Sequence, residues 1–203
     1  MTKKIKILAA SDIEGDSGLV KKLAIKAEKE KVDLVVLCGD ITNPIIHSKD
    51  IIKPFKDKKK EVILLPGNWD SFATADILAN IYGVKNIHGY SIIHEGIGFF
   101  GAGGAVAPGP GQTNEKELMK TLEKAHKGLG NVEKKIMLTH MHPSSSLSEF
   151  SGFQGSRAIS RAIKKFKPDI LLHGHIHEAA GADEKIGRTR VINTGPEGII
   201  LEI

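Results

Sequence analysis

Five short segments place metal-capable side chains directly after apolar runs. In order they are Ser11-Asp12-Ile13-Glu14-Gly15, Gly39-Asp40, Gly67-Asn68-Trp69-Asp70, Thr139-His140 and Gly174-His175-Ile176-His177. Each is weak alone, because Gly-Asp pairs arise by chance and His-x-His is only moderately specific. Together they offer carboxylate, amide and imidazole donors. That mixture suits Mn²⁺, Fe, Co²⁺, Ni²⁺ or Zn²⁺ better than Ca²⁺, which takes oxygen ligands. Taken singly, each segment has a plainer reading. Asp12 could be a turn former, Asn68 the first residue of an Asx-turn, His140 a core histidine, and His175 and His177 a surface pair. All of these readings would have to hold at once, at correlated positions, for the set to mean nothing.

The elements that must position these donors follow from hydrophobic periodicity. Residues 5–10 form a mostly apolar run followed by a polar turn. Apolar residues at Leu19, Val20, Leu23, Ala24 and Ala27 predict a helix over 19–31. The continuous run 34–38 reads as a buried parallel strand ending at Gly39-Asp40. A helix is expected over 49–59, although Pro54 interrupts it, and a strand over 62–65. Ser71 is expected to cap a short helix over 71–80, and Asn114 one that runs to Lys127. Strands are expected at 90–94, 97–100, 135–139, 169–173, 188–192 and 198–203, and a helix at 156–166. The glycine- and proline-rich stretch 101–111 and the stretch after His140 to about Gln154 read as loops. In open α/β sheets, ligands bind beyond the carboxyl ends of strands. Five strand ends could therefore deliver their polar residues to one rim.

The chain has 203 residues, and 1–203 reads as a single domain with a sizeable core. No apolar stretch approaches the ~20 residues of a membrane span, and the N-terminus does not read as a signal segment. The single cysteine, Cys38, ends an apolar run and reads as a small buried hydrophobe. These features point to a cytoplasmic protein that does not engage a membrane, and leave a homo-oligomer open. The net charge of +5 admits a nucleic-acid partner. Most lysines nevertheless sit on helix faces among glutamates, and aromatics are only 5 %, too few for a stacking platform.

The ordered set resembles the calcineurin-like metallophosphoesterase superfamily, in particular its small bacterial and archaeal phosphodiesterase branch, over essentially the whole chain from Ile5 on. The family pattern is Asp-x-His, Gly-Asp, Gly-Asn-His-Asp/Glu, a later His, and Gly-His-x-His. The resemblance implies an α/β fold, a four-layer α-β-β-α sandwich. It also implies two divalent metal ions, Mn favoured, with Fe, Ni, Co, Zn or Mg as alternatives. Asp12, Glu14, Asp40 and His177 would hold one ion, and Asp40, Asn68, His140 and His175 the other, with Asp40 shared. Physical logic supports a shared carboxylate, since two cations ~3.5–4 Å apart repel each other and favour an anion between them. The implied activity is hydrolysis of a small phosphoester, a diester more than a monoester, by a metal-activated water. The alternative is a scaffold or binding protein that kept the fold and lost efficient catalysis.

Two positions depart from the pattern and favour that alternative. Glu14 stands where the family has His. With Glu14, three carboxylates face +4 of metal charge, which suits harder ions such as Mn²⁺ or Mg²⁺. Trp69 stands where many members have the His that assists the leaving group. An indole N–H only donates hydrogen bonds and is no useful acid. His142 is the replacement proton donor expected from its place two residues beyond His140, and Arg157 at a helix start the expected clamp for a substrate phosphate, with a surface ion pair as its plainer role. Asp70 is expected to orient Asn68 or a histidine. His173 and the turn Asn193-Thr194-Gly195-Pro196 are expected to support the site, and His47, His88, His94 and His126 to pack or lie on the surface.

Overall fold

The computed structural model describes residues 4–43 and 50–203. The chain begins with β1 (Lys6–Ala10), α1 (Ser17–Lys29), β2 (Leu34–Cys38), α2 (Lys53–Asp57), β3 (Glu61–Leu65), α3 (Phe72–Tyr82) and the two-residue β4 (Lys85–Asn86). It continues through β5 (Ser91–His94), β6 (Ile97–Ala102), α4 (Glu115–Lys127), β7 (Lys134–Thr139), α5 (Arg157–Phe166), β8 (Ile170–His173), β9 (Asp183–Ile186), β10 (Thr189–Asn193) and β11 (Ile199–Glu202). Short 3₁₀ turns lie at Leu147–Ser151 and His177–Ala179.

Two mixed sheets result. One has the order β11-β1-β2-β3-β4, and the other β5-β6-β7-β8-β10-β9. In the first, β1, β2, β3 and β4 run parallel and β11 returns antiparallel. In the second, β6, β7, β8 and β10 run parallel, with antiparallel β5 and β9 at the edges.

Side chains alternate across a strand, so each sheet has two faces to cover. Ile7, Ala9, Leu34, Val36, Ile63 and Leu65 point from the first sheet toward Phe99, Ile136, Leu138, Leu172 and Ile192 of the second. The intervening residues Leu8, Val35, Leu37, Val62 and Leu64 face the other way, onto α1, α2 and α3. Phe100, Met137, Leu171 and Val191 face α4 and α5. The layers are therefore helix, sheet, sheet, helix, as expected. Truncating the fully buried Phe99 to Ala would cost about 3–5 kcal/mol, the range for large aromatic deletions.

Side-chain caps set the helix starts. Asp16 accepts from the amides of Gly18 and Leu19 at 2.8 and 2.9 Å, which starts α1 two residues before the apolar periodicity does. Ser71 caps α3 through the Thr74 amide and Asn114 caps α4 through that of Glu117, both as expected. Each such cap contributes about 1 kcal/mol. The helix expected over 49–59 is confined to Lys53–Asp57, with Pro54 in its first turn, where its missing N–H costs nothing. Residue 49 and His47 lie outside the described residues.

Candidate metal centre

The parallel strands β1, β2 and β3 end side by side on one rim, and β7 and β8 end beside each other on the facing sheet. Asp12, Asp40 and Asn68 lie just past the first three ends, and His140 and His175 just past the other two. A division of labour follows. Every oxygen donor of the expected set, Asp12, Glu14, Asp40 and Asn68, comes from the first sheet. Every imidazole, His140, His175 and His177, comes from the second.

The two contributions meet. His140 Nε2 lies 3.2 Å from Asp40 Oδ2 and 3.0 Å from Asn68 Oδ1. Ligand atoms of Asp40, His140 and His175 all lie within 4.8 Å of one another. His177 Nε2 lies 3.6 Å from Asp12 Oδ1 and 3.4 Å from Glu14 Oε1. The His175 amide donates to both Asp12 oxygens, at 3.1 and 3.2 Å. The structure thus shows two adjacent groups: Asp40, Asn68, His140 and His175 in one, and Asp12, Glu14 and His177 in the other.

The electrostatics fit cations. Asp12 and Asp40 are buried, and among the described residues their ion-pair partners are histidines, with no Lys or Arg within pairing distance. Buried carboxylates need a positive partner. Burial raises the Asp12 carboxyl, yet His177, His140 and the Ser11 hydroxyl together hold it below its ordinary value. Burial opposes charge on His140 as well, but Asp40 overrides it and raises the imidazole to about 9. Its Nδ1–H donates to the Cys38 carbonyl at 2.9 Å, so Nε2 is the nitrogen that faces Asp40 and Asn68. Burial, with His140 and His142 beside it, lowers His175 to about 4 and keeps it neutral, the state a metal ligand requires.

The backbone is shaped for this convergence. Asp12, Glu14, Asp40 and His175 have positive φ, at 56°, 49°, 49° and 74°. Such non-glycine conformations are costly and cluster at functional sites. Three glycines that precede candidate ligands leave room for side chains from other strand ends, in the same sheet or the facing one. A Cβ on Gly39 would meet the His140 ring, one on Gly67 the Asp40 carboxylate, and one on Gly174 Ser11 and Asp12.

Supporting residues pin these turns. Asp70 accepts from the amides of Gly67, Ile41 and Thr42 and from the Thr42 hydroxyl at 2.6–3.0 Å. It ties the turn of Asp40 to the turn of Asn68, rather than contacting a ligand side chain. Trp69 is 43 % exposed, and its backbone amide donates to Asp40 Oδ1 at 2.8 Å. Asn193 and Thr194 lie underneath, where Thr194 Oγ1 donates to Ser11 Oγ at 3.0 Å and Ser11 donates to Asp12 at 2.5 Å. Cys38 is fully buried and its thiol is pushed up by burial. His173 is buried and pushed down to about 3 by burial. His88 packs on Phe72, His94 pairs with Glu61 and His126 stacks on Phe166.

The chain is similar to known proteins along nearly its whole length. Residues 5–179 match the family described as calcineurin-like phosphoesterase. The chain belongs to the calcineurin-like phosphoesterase family. Members of this family use divalent metal ions, and the donor set above is where this phosphoesterase would hold them. An uncharacterized protein of Methanocaldococcus jannaschii is 29 % identical over 216 residues, covering 99 % of this chain and 93 % of its own. The structure of TT1561 from Thermus thermophilus superposes with a TM-score of 0.79 at 21 % identity, covering 96 % of this chain and 91 % of that one. An archaeal phosphodiesterase superposes with a TM-score of 0.55 at 20 % identity, over 94 % and 84 % of the two chains. These structural likenesses show that the four-layer sandwich is the metallophosphoesterase fold. No helix among the described residues is long and apolar enough to cross a membrane.

Beside the metal centre of the phosphoesterase lies a cleft of about 530 Å³, lined by Val106, Pro108, Met141, Phe153, Arg157 and His175, among others. Arg157 faces it and has no ion-pair partner among the described residues, so the plainer ion-pair role is not what the structure shows. The helix start itself is taken. Glu115 accepts from the Ser156 hydroxyl and from the amides of Arg157 and Ala158, at 2.5–3.1 Å. A substrate anion would meet the guanidinium, not those amides. His142 is fully buried, stacked on His175 with ring centroids 6.1 Å apart. Its Nε2 lies 3.2 Å from the Phe153 carbonyl, which fixes the proton there, and burial lowers its pKa. Nδ1 is left as a buried acceptor with no partner. Glu115, Ser11 and the carbonyl of Pro108, which accepts from Asn68 Nδ2 at 3.2 Å, carry no local sequence signal for these roles.

Proposed function

We propose that the protein hydrolyses phosphodiesters with two divalent ions. Asp12, Glu14, Asp40 and His177 would hold one, and Asp40, Asn68, His140 and His175 the other. The observation that carries the reading is the meeting of Asp40, His140 and His175 within 4.8 Å, with Asp12, Glu14 and His177 adjoining them. Divalent ions bound there supply a nucleophilic water near neutral pH and offset charge on the phosphoryl oxygens. Mn²⁺ is the favoured ion, because the Glu14 oxygen hardens one half of the donor set.

The chain's own residues supply the rest. The Trp69 amide and the Asp70 clamp hold the Asp40 carboxylate in one orientation. The Cys38 carbonyl fixes the His140 ring so that Nε2 presents its lone pair once the proton leaves. The apolar wall of Val106, Pro108 and Phe153 suits an ester arm, and Arg157 suits an anion on it. That pairing of wall and cation supports a diester over a monoester. Trp69, exposed beside the ligands, is no acid, and His142 is buried behind His175 with its pKa lowered, so good leaving groups are favoured.

The test is turnover of bis-p-nitrophenyl phosphate and of the monoester with Mn²⁺ added, and again with chelator. Turnover of the diester that is lost with chelator and falls on the order of 10³-fold in Asp40→Asn supports the reading. Metal binding without turnover of either ester would make the protein a binding module instead.

A further inference from the structure

The cleft beside the metal centre does not end at Arg157. It runs into a second groove of about 520 Å³ that shares Glu115 and Arg157 with it and is otherwise lined by Ser144, Ser160, Arg161 and Lys164. Arg157, Arg161 and Lys164 stand at i, i+4 and i+7 of α5, one exposed face spanning ~10 Å at 1.5 Å per residue. Among the described residues none of the three has an ion-pair or side-chain hydrogen-bond partner, whereas neighbouring Lys165 pairs with Glu123 at 2.7 Å. The one carboxylate lining the groove, Glu115, turns its oxygens to the start of α5 and makes no ion pair with any of the three. Three like charges on one helix face repel one another, so an anion there is favoured. The hydroxyls of Ser144 and Ser160 lie 2.9 Å apart in the same groove.

We infer that this groove binds a second, non-scissile phosphate of the substrate. The inference rests on the hydrolase reading above and narrows its substrate class. The first cleft is lined by His175 and by the apolar residues Val106, Pro108 and the 63 % exposed Phe153, and it shares Arg157 with the groove of the three cations. The matching molecule is a phosphodiester whose retained arm carries a flat or apolar group, able to lie on Phe153, and beyond it another phosphate. A nucleoside with phosphates on two of its hydroxyls has this layout. The guanidinium forks of Arg157 and Arg161 match phosphate oxygens, and Lys164 adds a point charge.

Two probes isolate the second phosphate: the p-nitrophenyl ester of thymidine 5′-phosphate, and the same ester with a 3′-phosphate. The scissile bond is identical. The 3′-phosphate should raise kcat/KM by about tenfold or more through a lower KM, the size expected for charge-assisted hydrogen bonds. In Arg161→Ala/Lys164→Ala the two esters should be used within about twofold of each other. The charge-keeping Arg161→Lys/Lys164→Arg should retain most of the preference, which separates a lost contact from a damaged fold. Equal use of the two esters by the unaltered protein, or a preference undiminished in the double-alanine variant, overturns the inference. If the Mn²⁺-loaded protein turns over neither ester, the hydrolase reading has failed, and calorimetric binding of thymidine 3′,5′-bisphosphate against thymidine 5′-phosphate still decides. Tighter binding of the bisphosphate that the double-alanine variant abolishes supports the groove, and equal binding refutes it.

Discussion

At the scale of single residues, the proposed metal ligands can be read in the sequence because they follow strand ends, within four residues of them, where side chains have one rim to point to. Glu14 was the ambiguous member, and its carboxylate lies 3.4 Å from His177 Nε2. Glu14→Ala should leave one ion weakly held, so that elemental analysis after dialysis falls from two ions per chain toward one. Unchanged stoichiometry and affinity would remove it from the ligand set. His142 is the second test. Held neutral with its proton on Nε2, it props His175 and the Phe153 loop. His142→Gln should therefore slow p-nitrophenyl and alkyl diesters by the same factor. A loss that grows with leaving-group pKa would instead make it the proton donor. The glutamate that caps α5 from forty residues away was not legible, since its partners come together only on folding.

At the scale of elements, the continuous apolar strands and the capped helices were legible, because period and cap are local properties. The misses share a cause. Residues 183–186 form the edge strand β9 with the sequence Asp-Glu-Lys-Ile, whose polar character hides it, and β4 is two residues long. Both are held by a neighbouring strand rather than by their own sequence. The turns after the strands carry their own requirement. Gly67 has no Cβ because the Asp40 carboxylate fills that space. Gly67→Ala should cost about 1–3 kcal/mol by overpacking, read by denaturant unfolding. It should also remove most Mn²⁺ binding by calorimetry while leaving the far-ultraviolet spectrum unchanged. A variant that binds Mn²⁺ normally would show that the turn can give way.

At the scale of the molecule, ions bound at the rim favour the folded chain over the unfolded one. At a Mn²⁺ concentration about 100 times Kd, one site adds about 2.7 kcal/mol. For a chain of this size that corresponds to a rise in Tm of about 5–10 °C. A scan with Mn²⁺ and with chelator checks it, and coincident transitions would mean that no ion binds the native state. A further property follows from the origin of the donors, oxygens from one sheet and imidazoles from the other. An ion held between them rivets two independent slabs, and its coordination gauges how those slabs are seated. A sub-ångström slip of one against the other, started by a repacked Phe99 or Leu138 well below the surface, would loosen the rivet long before either slab came apart. Metal affinity would then fall in variants whose melting curves in chelator barely move, and the rim would act as a strain gauge for the interior.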